Sequence, residues 1–385
     1  DALLSRGLGD VYKRQDMVSA YSAVSHGHSH PELIKTLHDQ SSKLAITSRA
    51  FYTEPFANFL EKLSNISDFE SVLTMNTGAE AVETAIKAAR RWGYFSKGIP
   101  EDNAEIIVAD GNFHGRTTTI VSFSSDSSYK DGFGPFTPGF ETADYCGSCE
   151  CGLIDNCISI KSFEKKINEN TCAILVEPIQ GEAGIRVPSE GWLKELRELC
   201  TAKNILMILD EIQSGLGRTG KLFAYQHEDI IPDGLILGKA LGGALLPISA
   251  FLSSKDVMQH FKPGSHGSTF GGNPLASKVA AKAIDLLFEE KLIENSEKMG
   301  NYFLSKLRQI NSKAIKEVRG KGLWIGMELN SSDVNAKDLC LMLLNEGILC
   351  KETHKTVIRF APPLMISKDD LDWAIDKITK VLRTI

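Results

Sequence analysis

Two stretches decide the fold: Leu206–Gly220, LMILDEIQSGLGRTG, and Leu235–Gly243, LILGKALGG. Each opens with a short apolar run of strand length and then turns abruptly into small residues. Asp210 ends the first run, and Lys239 follows the second after one glycine. Strands that end in chemically active residues suit a parallel sheet, because open α/β folds bind ligands at the C-terminal strand edge. Taken singly, the lysine reads as a surface residue and the aspartate as a helix cap. Taken together, with Gln213 beside Asp210, they suit an aldehyde cofactor. An amine forms a Schiff base, and a carboxylate keeps a ring nitrogen protonated as an electron sink. That chemistry is pyridoxal phosphate chemistry.

Further apolar runs at Ser71–Met75, Ile106–Ala109 and Ala173–Val176 are bounded by Gly, Asn, Asp or Pro and read as buried parallel strands. Helical patterns such as AEAVETAIKAARRW and GWLKELRELCTAK separate them. The alternation predicts an α/β fold with helices on both faces of a mostly parallel sheet. After Asn273 a long amphipathic helix leads into a second region, whose strands lie in IKEVRGKGLWIGMEL and TVIRFAPPLMI. The expected organisation is a large domain over 16–273, carrying a cysteine-rich insert at 144–158, and a small domain over 274–385. Residues 1–15 lack clean periodicity and read as a leader foreign to the fold, which leaves the native N-terminus outside the chain.

The 385 residues are 42% apolar, enough for one large core and a smaller one. A net charge of −6 with interspersed signs gives no basic stripe for nucleic acid. No apolar run reaches the roughly 18 residues of a membrane span. Eight cysteines in such a length do not make a secreted disulfide scaffold. The cytoplasm or the mitochondrial matrix is the expected compartment.

Other segments carry candidate chemistry. In MNTGAEAVETAIKAAR the backbone N–H groups of Gly78 and Ala79 open a helix and suit an anion. In NFHGRTT, Phe113 suits stacking on a planar ring and Arg116 a carboxylate. Gly215–Leu222, GLGRTGKL, resembles a nucleotide-hydrolase phosphate loop but has leucine where magnesium needs Ser or Thr. His26, His28 and His30 alternate in a glycine-rich turn with no carboxylate nearby, which is a structural pattern more than a metal site. Cys146, Cys149, Cys151 and Cys157 are spaced C-x2-C-x-C-x5-C. Zinc thiolate ligation, a redox-active dithiol and an inert loop all remain open for them.

Lys239, Asp210, Gln213 and the Gly78 turn together resemble the fold-type I, class III aminotransferases. SAYSAVSHGHSHP, SRAFY, DGFGPFTPGF, VEPIQGEAG, KPGSHGSTFGGNPL and IRFAPPL look most like the ornithine-specific branch. The resemblance covers about residues 16–385. It implies a seven-stranded sheet in the large domain and an α+β small domain. Lys239 would hold pyridoxal phosphate and shuttle the proton. Asp210 would pair with the ring nitrogen, Gln213 would bond the phenolic oxygen, and Phe113 would stack on the ring. Gly78 and Ala79 would bind the phosphate, with Ser268 and Thr269 reaching over from the neighbouring subunit of a homodimer.

For substrates, the resemblance implies L-ornithine and 2-oxoglutarate. Arg116 would take the ornithine α-carboxylate and Tyr21 would shape the pocket. Glu182 would mask Arg359 until the oxo acid arrives. Other ω-aminotransferases, for acetylornithine or 4-aminobutyrate, share most of these features. A silent cofactor-binding protein, working through its cysteine-rich insert, is the alternative from another class. The family carries an N-terminal segment with a substrate-contacting tyrosine that has no counterpart here, and a short link where this chain has the insert.

Overall fold

The computed structural model describes residues 14–146, 158–330 and 335–385. Seven strands form the main sheet: β2 (Ser71–Met75), β3 (Glu105–Ala109), β4 (Phe140–Ala143), β5 (Thr171–Val176), β6 (Leu206–Asp210), β7 (Gly234–Leu237) and β8 (Ser249–Ser253). Their spatial order is β2-β8-β7-β6-β5-β3-β4. All pairs are parallel except those of β8, which runs antiparallel between β2 and β7. Every residue of β5, β6 and β7 is buried, as a sheet covered by helices on both faces requires. The mostly parallel seven-stranded sheet is therefore as expected.

Two of its strands escape a reading by apolar runs. β4 is an edge strand, FETA, with an exposed residue and a polar one among its four. β8 reads SAFLS, so serines bound three apolar residues. Ser249 donates to the Thr77 carbonyl at 2.7 Å and Ser253 to the Asp233 carbonyl at 2.6 Å. Those bonds satisfy the buried hydroxyls and hide the strand from a hydrophobicity argument.

The second region holds an antiparallel sheet ordered β12-β13-β10-β9, from β9 (Ile315–Gly320), β10 (Ile325–Leu329), β12 (Lys351–Thr353) and β13 (Val357–Phe360). A two-residue strand β1 (Gln15–Asp16) lies parallel to β11 (Ile348–Leu349) and ties the start of the described chain to this region. The helix Pro274–Glu289 joins the two regions and packs against the helices Pro31–Ser41 and Glu54–Ile66. Between β1 and those helices, Ser19, Ala20, Tyr21 and Ser22 all take left-handed backbone angles, with φ of 48°, 44°, 59° and 75°. Four consecutive non-glycine residues in that region are strained. The Asp16 carboxylate accepts from Val18 N (2.8 Å) and Ser19 N (2.9 Å) and holds the entry to the turn.

Candidate active site

The sheet edge supplies the reactive pair. Asp210 is the last residue of β6, and Lys239 follows β7 after an extended Gly238. Lys239 sits at φ 45°, a left-handed angle that a side chain tolerates only when its surroundings enforce it. Both line a cavity of about 160 Å³, together with Gly78, Ala79, Phe113 and Gln213. Burial, and next the positive Arg359 guanidinium, bring the Lys239 amine down to about 8, against the pull of Glu182, Asp210 and Glu177. An amine in that range is partly neutral near physiological pH, as attack on an aldehyde requires.

Asp210 is held from two sides. Its Oδ2 meets His114 Nδ1 at 2.7 Å, and its Oδ1 accepts from Ile212 N at 3.0 Å. Glu177, one residue past β5, accepts from Phe113 N (2.9 Å) and Gly181 N (3.0 Å). It fastens the Phe113 loop to the loop that carries Glu182. Burial raises its carboxyl to about 7; His114 opposes that rise and Asp210 adds to it. Neither His114 nor Glu177 was assigned a role from sequence. A histidine beside a candidate stacking residue and an acid closing a strand were the available signals, but only the fold brings them together.

The Gly78–Trp92 helix opens with a reciprocal cap. Thr77 Oγ1 accepts from Glu80 N at 3.2 Å, while the Glu80 carboxylate accepts from Asn76 N (2.9 Å) and Thr77 N (2.7 Å). No described residue accepts from the N–H groups of Gly78 and Ala79, which border the cavity. A Cβ at Gly78 would lie 2.8 Å from Ile212 Cδ1, so a side chain there would displace the end of Ile212, which also lines the cavity. Two free N–H groups at a helix N-terminus, an aromatic face at Phe113, a buried carboxylate and an amine of lowered basicity fit pyridoxal phosphate. That group, when bound, supplies an electron sink for a substrate carbanion. Ser268 Oγ accepts from Asn76 Nδ2 at 2.6 Å. Neither Ser268 nor the exposed Thr269 lines the cavity of its own chain.

A wider cleft of about 610 Å³ shares Phe113 with this cavity and is lined by Tyr21, Arg116, Glu182, Arg186 and Thr353 among others. Arg359, on β13, is buried and donates to Glu182 Oε1 at 3.2 Å and to Gln213 Oε1 at 2.9 Å. Its guanidinium lies 5.2 Å from the Tyr21 ring centre and 5.4 Å from that of Trp324. Thr353 Oγ1 donates to the Glu182 carbonyl and steadies that loop. Gln213, expected beside the cofactor oxygen, does line the cavity, but its amide also engages Arg359 and, at 3.4 Å, Glu182. Arg116 is exposed and lies 5.5 Å from the Phe113 ring centre and 4.9 Å from that of Tyr129.

The remaining motifs have structural partners. His26 meets the Ala283 carbonyl, His28 meets Asp16 and His30 meets Glu290. These three contacts diverge. In Gly215–Leu222, Lys221 is exposed while Arg218 is buried, donating to the carbonyls of Leu323 and Pro362 and to Ser25 Oγ. Cys146 is buried and hydrogen-bonded to Ser189. Cys149, Cys151 and Cys157 lie outside the described residues. Among the described residues, no group of three or more His, Cys, Asp or Glu side chains is placed to hold a metal ion, so the zinc expectation finds no support.

Comparison with known proteins agrees with this geometry. The family described as aminotransferase class-III matches residues 10–382. The ornithine aminotransferase of Brevibacillus brevis is 54% identical over 370 residues, 96% of this chain and 89% of that protein. That of Bacillus subtilis is 53% identical over 368 residues, 96% and 88% of the respective chains. The solved ornithine aminotransferase of Toxoplasma gondii, which holds PLP at partial occupancy, superposes with a TM-score of 0.91 at 42% identity, over 97% of this chain and 86% of that one. An acetylornithine aminotransferase from Elizabethkingia anophelis gives 0.86 at 48% identity, over 97% and 90%. With the lysine, the carboxylate and the Gly78 turn on one sheet edge and the match running nearly end to end, this chain belongs to the class III aminotransferases, which are PLP-dependent transaminases.

Proposed function

We propose that this chain transfers the δ-amino group of L-ornithine to 2-oxoglutarate, giving glutamate 5-semialdehyde and glutamate. The observation that carries the reading is the buried Arg359 bonded to Glu182 at the border of cavity and cleft. One pocket must accept a substrate with one carboxylate and then another with two. A guanidinium neutralised by a carboxylate on a separate loop can read both charge patterns. With ornithine bound, Glu182 stays on Arg359 and Arg116 takes the α-carboxylate, with Tyr21 packing along the substrate. With 2-oxoglutarate, Glu182 swings away and Arg359 grips the carboxylate beside the keto carbon.

Lys239 Nζ carries the proton at the reacting carbon. Asp210, oriented by His114, would keep the cofactor ring protonated, and Gln213 would bond its phenolic oxygen. Phe113 would back the ring, and the N–H groups of Gly78 and Ala79 would hold the phosphate. Ser268 and Thr269 complete that cup from the partner subunit of a homodimer. Exposed Leu44, Ile46, Phe51, Tyr52 and Phe270 support the dimer. They come from two adjacent segments, joined where Leu275 N donates to the Ala45 carbonyl. Zinc in the cysteine-rich insert forms no part of this reading.

The experiment is a comparison of amino donors with the purified holoenzyme and 2-oxoglutarate. L-Ornithine should exceed N-acetylornithine and 4-aminobutyrate in kcat/KM, with the cyclised semialdehyde as product. Preference for N-acetylornithine, which the 48% identical acetylornithine aminotransferase makes the nearest rival, would overturn the substrate assignment.

A further inference from the structure

Among the described residues, Arg116 and Arg186 line the wide cleft, and Arg359 is bonded to Glu182 on its border. Two of these guanidinium groups already have work. Arg359 is paired, and Arg116, resting against Phe113 and Tyr129, faces the carboxylate remote from the reacting nitrogen. Arg186 has none. No described residue forms an ion pair with its guanidinium or accepts a hydrogen bond from it, although it is only half exposed. A partly desolvated charge with no counterion costs free energy, and a carboxylate ligand offsets that cost.

The backbone holds Arg186 in place. Ile185 takes a left-handed φ of 52°, and a two-bond bridge joins Gln180 and Arg186 (Gln180 N to Arg186 O, 3.1 Å; the reverse, 2.9 Å). Gln180 Nε2 then donates to the Asp110 carbonyl at 2.7 Å, so this loop is stitched to the segment that carries Phe113 and Arg116. A Cβ at Gly111 would meet Arg186 Nη1 at 3.0 Å. The guanidinium therefore lies against that same segment, on the Arg116 side of the cleft. Other charges there have partners: Lys351 pairs with Glu352 at 2.8 Å, and Asp126 accepts from Ser128 N and Oγ. Asp110, also in the lining, is exposed to solvent.

We propose that Arg186 is a second receptor for the carboxylate remote from the reacting nitrogen, shared with Arg116: the α-carboxylate of ornithine and the distal carboxylate of 2-oxoglutarate. The proposal rests on the cleft assignment given under Proposed function. Its test is calorimetric binding of two unreactive acids to the holoenzyme: glutarate, with both carboxylates, and butyrate, with one. Wild type should bind glutarate more tightly than butyrate. Arg186→Gln should weaken glutarate about tenfold, the order of one charge-assisted hydrogen bond, and butyrate by a similar factor, because with Arg359 paired to Glu182 a lone carboxylate takes the Arg116–Arg186 end. Arg186→Lys should fall between, because it keeps the charge and loses the fork. No weakening of glutarate in Arg186→Gln would overturn the proposal. Arg116→Gln run in parallel separates the two failures. If it weakens glutarate and Arg186→Gln does not, only Arg186 is misassigned. If neither does, or if wild type fails to distinguish the acids, the cleft assignment itself is wrong.

Discussion

The cofactor cavity and the substrate cleft meet at Phe113, yet they are built differently. The cavity is small and sits on the edge of one sheet, and its carboxylates are fixed: Asp210 by His114 and Ile212 N and, one step out, Glu177 by its two backbone donors. The cleft is several times larger and gathers its residues from a strained N-terminal turn, the Glu177–Arg186 loop and the small antiparallel sheet. Its central contact, Glu182 to Arg359, joins a loop of the main sheet to a strand of the small one. Preorganisation serves a reaction whose electronics are the same in both halves of the cycle. Exchangeable pairing serves the step at which the two substrates differ. Changes in the cavity should therefore damage both half-reactions alike, and changes in the cleft should damage them unequally.

The largest effect belongs to Lys239. Lys239→Ala should abolish the visible absorbance of the covalently held cofactor and lower turnover by about 10⁴-fold or more, in line with removal of other covalent catalytic groups. Substantial remaining turnover would mean that a different amine does the work. Asp210→Ala should still bind cofactor but slow both half-reactions by on the order of 10²–10³-fold, since an unprotonated ring is a poor electron sink. A large loss in one half-reaction only would break the distinction between cavity and cleft.

The lowered basicity of Lys239 gives a smaller effect with a defined sign. In cofactor-free protein the amine titrates near 8 rather than 10.5. The native state therefore binds fewer protons than the unfolded one between those values. The stability penalty at this site is full below pH 8 and fades as pH rises to the unfolded value. Labelling of Lys239 by an amine-reactive probe, read by mass spectrometry, should rise with pH to a midpoint near 8, against about 10.4 for an exposed lysine. Arg359→Gln should slow it, because the guanidinium is the second cause of the depression. A midpoint for Lys239 as high as that of exposed lysines would show that the cavity leaves the amine fully basic.

Much of the cavity was legible in sequence because its residues sit at the ends of apolar runs or at a small-residue turn, where local pattern and chemistry coincide. Asp210, Lys239 and Gly78 needed no tertiary information to be noticed. What stayed hidden has two physical origins. Strands β4 and β8 are short and half polar, and the Ser249 and Ser253 hydroxyls satisfy themselves on backbone carbonyls that no sequence pattern shows. Glu177 and His114 matter through partners 64 and 96 positions away, and only the folded loops reveal those pairings, as only they bring Arg186 into the cleft. Glu182 and Arg359 were named through family resemblance. The loop and the strand that carry them say nothing by themselves about a bond between residues 177 positions apart.

The central claim is that Glu182 and Arg359 form an exchangeable pair that reads two charge patterns. Single-turnover rates of the two half-reactions test it most directly, measured with ornithine on the aldehyde form and with 2-oxoglutarate on the amine form. Arg359→Ala should slow the 2-oxoglutarate half-reaction about tenfold more than the ornithine one. Glu182→Ala, by freeing Arg359, should shift donor preference from ornithine toward glutamate by a similar factor. Equal losses in both half-reactions for both variants would contradict the account, leaving the pair as a structural contact that reads neither substrate.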